Sequence, residues 1–249
     1  MNRYTNKTVL VTGGNSGIGL ATALAFAKEG ARIVITGRDQ ATLDSARELL
    51  GSRTIAVRSD QGSISDGKLL AQTLTQQGVT LDAVFVNAGV AKFAPFADID
   101  EALWDQTFDV NVKGAYFLIQ ALTPLLNRGA AIVLNGSINA RIGMPSSSVY
   151  AASKAALISF AKTLSTELNA QGVRVNVVSP GPVTTPLYGR LGLEAAQLDD
   201  MASAIIEQVP LKRFGTPDEV ASAVLYLASP DAAFIVGTEL IVDGGMTQL

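Results

Sequence analysis

The chain has 249 residues, 48% of them hydrophobic, enough to bury the core of one large α/β unit. Its formal charge is −3 with no basic stretch, which argues against nucleic acid or an anionic membrane surface as the main partner. It has no cysteine and no histidine, so disulfides, thiolate metal sites and the commonest general acid/base are excluded, no metal site is expected, and proton chemistry falls to Tyr, Lys, Asp, Glu or Ser.

Strand and helix patterns alternate along the whole chain. Residues 8–12 form a short apolar, β-branched strand and 18–28 a helix; 32–36 and 41–50 repeat the pair. Further strands are expected at 54–57, 83–86, 131–135, 173–178 and 240–242, with helices at 68–76, 101–126, 149–168 and 217–227. Several strands are continuous apolar runs, the mark of parallel strands covered on both faces. The pattern implies an α/β, Rossmann-like, doubly wound parallel sheet of about seven strands with right-handed crossovers and helices on both faces. No linker, repeat or low-complexity segment divides the chain, so a single domain over 1–249 is expected. The least regular stretch, residues 189–200, lies in an expected substrate loop at about 186–210. No apolar signal region opens the chain and no run approaches the roughly 20 apolar residues of a membrane span, so a cytoplasmic protein without membrane contact is expected.

In such a sheet ligands gather at the carboxyl ends of the strands. Directly after the first strand stands Thr12-Gly13-Gly14-Asn15-Ser16-Gly17-Ile18-Gly19. Glycines there let the backbone approach a pyrophosphate, and the helix start supplies free N–H groups and a partial positive charge. The spacing is G-x-x-x-G-x-G rather than the commoner G-x-G-x-x-G, and the bland reading is a glycine-rich turn. Tyr150 and Lys154 stand at i and i+4 of a helix, so phenol and ammonium share a face. A neighbouring ammonium favours the phenolate and lowers the tyrosine pKa from about 10. Asn135-Gly136-Ser137 ends a strand and offers a hydroxyl to a substrate oxygen, or is an ordinary turn serine; Ser146, Ser147 and Ser148 read as helix caps. Asn111, among apolar neighbours, is either a core hydrogen-bonder or functional.

Taken together these pieces resemble the short-chain dehydrogenase/reductase family, from Thr8 to Gly245 and in the family's order. The resemblance adds Asp60, the Asn87-Ala88-Gly89 turn, the segment Pro180-Gly181-Pro182-Val183-Thr184-Thr185 and a closing Val242-Asp243-Gly244-Gly245. It implies that Ser137 orients a carbonyl, that Tyr150 is the general acid/base, and that Lys154 holds the nicotinamide ribose and tunes Tyr150. Asn111 would anchor a water in a proton relay. Asp60 would sit at the adenine, Asn87, Ala88 and Gly89 on the adenosine ribose side, and Val183 and Thr185 at the carboxamide, beside Pro180 and Gly181. Val86 departs from the family's usual first asparagine, and Gln61 from its usual apolar residue beside the adenine.

The implied activity is hydride transfer between NADP(H) and a carbonyl or hydroxyl carbon: a carbonyl reductase or alcohol dehydrogenase, with a 3-oxoacyl carrier-protein reductase as one form. A nucleotide sensor on the same fold would be free to lose Tyr150 or Lys154, and an epimerase of the extended type would be longer with other glycine spacing. NADP is expected over NAD because Gly37 stands where NAD enzymes usually carry a carboxylate, Arg38 follows, and Thr36 and Asn15 add neutral donors; Asp39 can blunt Arg38. Ala91, Phe93, Asn139, Arg141, Met144, Tyr188 and the stretch near Leu191 are the candidate wall of a mostly apolar pocket for a small carbonyl or alcohol; Arg141 and Arg190 are the only cations placed to receive an acidic carrier. A homotetramer is expected, because helices 101–126 and 149–168 are apolar on more than one face and the resemblance adds an interface through the last strand.

Overall fold

The computed structural model describes residues 2–185 and 194–249, with the backbone alone at 195 and 196. Seven parallel strands form one sheet in the order β3-β2-β1-β4-β5-β6-β7. They are β1 (Thr8–Thr12), β2 (Arg32–Gly37), β3 (Ile55–Arg58), β4 (Leu81–Val86), β5 (Leu126–Asn135), β6 (Arg174–Pro180) and β7 (Glu239–Val242). The helices are α1 (Gly17–Lys28), α2 (Gln40–Leu50), α3 (Ile64–Gln76), α4 (Glu101–Phe108), α5 (Ala115–Leu122), α6 (Ser148–Leu168), α7 (Ala195–Gln208) and α8 (Pro217–Ala228). Strand order reverses between β1 and β4, and that switch point opens a crevice at the strands' carboxyl ends.

The two faces of the sheet bury separate cores. One packs Leu70 and Leu74 of α3, Leu118 and Leu122 of α5, and Leu157 and Ala161 of α6 on Leu10, Val84 and Ile132. The other packs Phe26 of α1, Leu43 of α2 and Val220 and Val224 of α8 on Val9, Ile33 and Phe85. Each large aliphatic or aromatic side chain so buried contributes about 1.5–3 kcal/mol. Local chemistry starts the helices where the strands end. Asp39 accepts from Thr42 N, Ser63 from Asp66 N and Asp100 from Leu103 N, and α8 opens on Pro217 behind a Thr216–Glu219 capping box.

Three expectations need correction. The single helix expected over 101–126 is α4 and α5 joined by a π-helical turn at Asp109–Gly114, and it ends in a 3-10 turn at Thr123–Leu125 that carries Pro124. The π turn places Asn111 against Val90, as described below, and a Cβ on Gly114 would collide with Gln61 O, so the helix backbone lies directly on the β3–α3 loop. Second, of the irregular stretch expected at 189–200 and the loop at 186–210, residues 186–193 lie outside the described ones, and from Ala195 to Gln208 the chain is helical rather than loop. Half-buried Leu198, Met201 and Ile205 recur at helical spacing there, and Gln197 Oε1 accepts from Glu194 N. Third, Ser147 occupies the cap position of α6 but its hydroxyl donates back to Met144 O (2.7 Å), and no side-chain cap bond forms.

Candidate functional site

The glycine-rich turn is held from two sides. Gly19 packs its backbone onto the turn, since a Cβ there would collide with Gly13 O; it lies under the cleft rather than lining it. From β4, Asn87 N and Ala88 N donate to Thr12 Oγ1 (3.0 and 2.9 Å), and Asn87 Nδ2 donates to Thr12 O (2.9 Å). Asn135 Nδ2 at the end of β5 donates to Asn87 Oδ1 (3.0 Å), so the ends of β1, β4 and β5 are tied across the switch point. Val86, the departure noted in the sequence, is a buried core residue of β4.

Above these ties runs a cleft of about 440 Å³ lined by Gly13, Asn15, Ser16, Gly17, Ile18, Thr36, Gly37, Arg38, Asp60, Gln61, Asn87, Ala88 and Gly89. It adjoins a second cleft, of about 160 Å³, lined by Asn135, Ser137, Tyr150, Lys154, Pro180, Gly181 and Val183; Ile18, Asn87, Gly89, Val90 and Thr185 belong to both. The segment after β6 is held over it by Gly181 N donating to Val242 O (2.9 Å) and Thr184 N to Gly215 O (3.0 Å). Sequence reasoning missed Asp39, Thr42, Ser59, Val90 and Val110 as lining residues. Only Thr42 left a signal, a hydroxyl one turn into a helix that starts at the cleft.

Lys154 is 5% exposed, and its Nζ donates to Asn135 O (2.7 Å), the last carbonyl of β5. Burial pushes its ammonium down to about 8. Tyr150 moves the other way from the sequence expectation: burial raises its hydroxyl above the ordinary range, and a hydrogen bond from Ser137 opposes the rise. Lys154 Nζ lies 5.7 Å from the centre of the Tyr150 ring. Buried Ser137 accepts from Asn139 N (3.2 Å), which leaves its O–H to donate towards Tyr150 or a substrate oxygen.

Asn111 is buried in the π turn. Its Oδ1 accepts from Val90 N (2.8 Å), and its Nδ2 donates to Val90 O (2.9 Å) and Ser153 Oγ (3.0 Å). Both ends of the amide thus bond protein atoms, bracing the β4 loop against α6. Of the candidate substrate residues, Ala91 lines the second cleft, Phe93 sits edge-on to Tyr150 with ring centres 5.5 Å apart, and Asn139 Nδ2 points to Met144 Sδ (3.4 Å). Arg141 does not stand free: it is ion-paired to Glu239. Tyr188, Arg190 and Leu191 lie outside the described residues.

The clefts offer polar atoms that suit a nucleotide. Gln61 Nε2 and Asn135 Oδ1 are buried without a protein partner, one in each cleft's lining. Among the described residues no cluster of acidic side chains could hold a metal ion, and no helix is long and apolar enough to cross a membrane.

Residues 13–247 match a family model described as enoyl-(acyl carrier protein) reductase. The chain is 37% identical to the oxidoreductase asL5 of Sarocladium schorii over 99% of its length and 98% of that protein's. Among solved structures it resembles a short-chain dehydrogenase/reductase of the glucose/ribitol dehydrogenase kind from Brucella melitensis, with a TM-score of 0.92, 33% identity and 99% of each chain covered. It also resembles a short-chain dehydrogenase from Burkholderia cenocepacia J2315 in complex with NADP, with a TM-score of 0.87, 32% identity, and 98% of this chain and 99% of that one covered.

Proposed function

The chain belongs to the short-chain dehydrogenase/reductase family, and on that premise we propose that its joined clefts bind NADP(H) and a small carbonyl or alcohol, with Tyr150 as the proton donor and acceptor. It is an oxidoreductase that moves a hydride between nicotinamide and a carbonyl or hydroxyl carbon. The observation that carries the assignment of roles is convergence: Ser137 from the turn after β5, and Tyr150 and Lys154 from α6, line one cleft that opens into the nucleotide-sized one.

When bound, the nicotinamide supplies or takes the hydride. The chain's own residues do the rest. The glycine-rich turn and the start of α1 present N–H groups to the diphosphate. Asp60 and Gln61 line the cleft at its adenine end, and Val183 and Thr185 cover the carboxamide end. Ser137 donates its O–H to the substrate oxygen, and the bond it accepts from Asn139 N helps to orient the hydroxyl. In reduction Tyr150 gives its proton to that oxygen, and in oxidation it takes one back. The Lys154 ammonium, held by Asn135 O, faces the phenolate left after donation and stabilises it. Asn111 fixes the loop that follows β4.

A free small molecule is favoured over an acyl carrier protein because Arg141, one of two cations expected at the entrance, is committed to Glu239. We place the protein in the cytoplasm, as a homotetramer without nucleic-acid or membrane partners.

Tyr150→Phe tests the assignment. Turnover should fall at least about a hundredfold, the usual scale for losing a positioned acid/base, while NADPH still binds. Near wild-type turnover would remove Tyr150 from the chemistry.

A further inference from the structure

We propose that Glu239 is a positioning residue for Ser137, acting through Arg141 and Ser179. The proposal rests on the catalytic reading of Ser137 and Tyr150 given above. Glu239 opens β7, beside β6, and its side chain is only 7% exposed. A carboxylate buried to that degree is costly unless both oxygens are matched. Oε1 accepts from Ser179 Oγ (2.6 Å), and Oε2 accepts from Arg141 Nε (2.8 Å) and from Arg141 Nη2. Such charge-assisted bonds are the strong kind, and the carboxylate holds the Arg141 guanidinium above its usual pKa.

Both partners end on the segment that carries Ser137. Ser179 Oγ lies against the backbone of Gly136, where a Cβ would collide with it, and Gly136 N donates to Val178 O (2.8 Å). Glycine is therefore required immediately before Ser137. On the other side, Arg141 N donates to Ile138 O (2.7 Å) and closes the 3-10 turn Ile138–Ala140. Within that turn Asn139 N donates to Ser137 Oγ, which directs the serine O–H. One carboxylate thus fixes the chain on both flanks of Ser137: at Gly136 through Ser179, and at the end of the turn through Arg141. Glu239 lines neither cleft, so its influence on the reaction passes through the serine.

Glu239→Gln is the first variant to measure, because it keeps an acceptor for Ser179 and removes the charge that holds Arg141. Loosened geometry at Ser137 should lower kcat about ten- to a hundredfold, with the Kd for NADPH unchanged. The same substitution in a Ser137→Ala background should change kcat less than about twofold, since the serine through which it acts is gone. A residue that only staples β7 to the sheet would give the same factor in both backgrounds. Arg141→Met, at a half-exposed side chain, should reproduce the loss and the same dependence on Ser137, and it replaces Glu239→Gln if that variant does not fold. Tyr150→Phe run in parallel separates the two levels. Retained turnover there overturns the catalytic reading and this proposal with it. If Tyr150→Phe is inactive but Glu239→Gln keeps wild-type kcat, or loses equally with and without Ser137, the positioning role alone is overturned.

Discussion

Lys154 and Tyr150 share a helix face, yet their surroundings move both away from the charged form. For Lys154 the cause is burial, which brings its ammonium to about 8 against the ordinary 10.5. For Tyr150 burial outweighs the hydrogen bond from Ser137, so the phenol keeps its proton across neutral pH. That suits donation to a carbonyl oxygen. On the roles proposed above, reduction needs Tyr150 protonated and Lys154 charged, and the first of these conditions lost as pH rises is the second. The kcat/KM for carbonyl reduction should therefore fall as pH rises through about 8, a limb belonging to the free enzyme. Lys154→Arg, whose cation does not titrate there, should move the limb upward while lowering the maximum. A limb still near 8 in that variant would reassign it to another group. Stability runs the opposite way. The folded pKa lies below the unfolded one, so between about 8 and 10.5 the unfolded chain holds more protons and this residue's contribution to stability rises with pH. Activity and stability measured on one pH series should diverge above 8 in the wild type, and Lys154→Met should lose this residue's part of the stability slope.

At the scale of elements, the turns after β1 and β2 line the cleft on which the proposed preference for NADP rests. Asp39, which the sequence offers as a partner for Arg38, instead caps α2 by accepting from Thr42 N (2.8 Å), and that bond holds its carboxyl below the usual range. Arg58 Nε braces the turn from β3 by donating to Arg38 O (3.0 Å). Among the described residues the Arg38 side chain is in no ion pair, and it lines the cleft. A charge-assisted bond to a 2′-phosphate is worth about 1.5–3 kcal/mol, so Arg38→Ala should weaken NADPH about ten- to a hundredfold and leave NADH nearly unchanged. Gly37→Asp meets an obstacle that the sequence does not show. A Cβ there would lie 2.9 Å from Asn15 Oδ1, and Asn15 Nδ2 is committed to Thr42 Oγ1 (2.7 Å). Alone, Gly37→Asp should weaken both cofactors; with Asn15→Ala beside it, preference should move to NADH. The readout is kcat/KM for each cofactor, and a single Gly37→Asp that already favours NADH at full rate would show that Asn15 yields freely. Motifs contained in one turn or one helix, such as residues 12–19 and the Tyr150/Lys154 pair, were legible because contiguous letters fix their geometry. Contacts that cross the sheet were not. Nothing local in the sequence joins Asn111 to Val90 and Ser153, or Arg141 to Glu239 98 positions away. The π turn follows from such contacts, so the helix expected over 101–126 was too simple. Helix α7 does have a local signal, the helical spacing of Leu198, Met201 and Ile205, but it begins inside the least regular stretch of the chain.

At the scale of the whole molecule, two apolar patches remain to be covered. On α4, Trp104 and Phe108 stack with ring centres 4.8 Å apart, and Phe96 nearby is 89% exposed. Before the start of β7, at the far edge of the sheet, Phe234 is fully exposed and Val236 is exposed beside it in sequence. Large apolar side chains gathered on a surface mark contact sites, and an edge strand with unpaired backbone groups invites cover. Each patch can meet its own copy across a two-fold axis, and two distinct two-fold contacts on one chain close into a tetramer with three perpendicular axes. Light scattering should therefore report a particle of about four times 25.9 kDa. Trp104→Glu should split the assembly into dimers held by the β7 side, Phe234→Asp into dimers held by the α4 side, and the double variant into monomers. A 25.9 kDa particle for the wild type at working concentration would refute the tetramer.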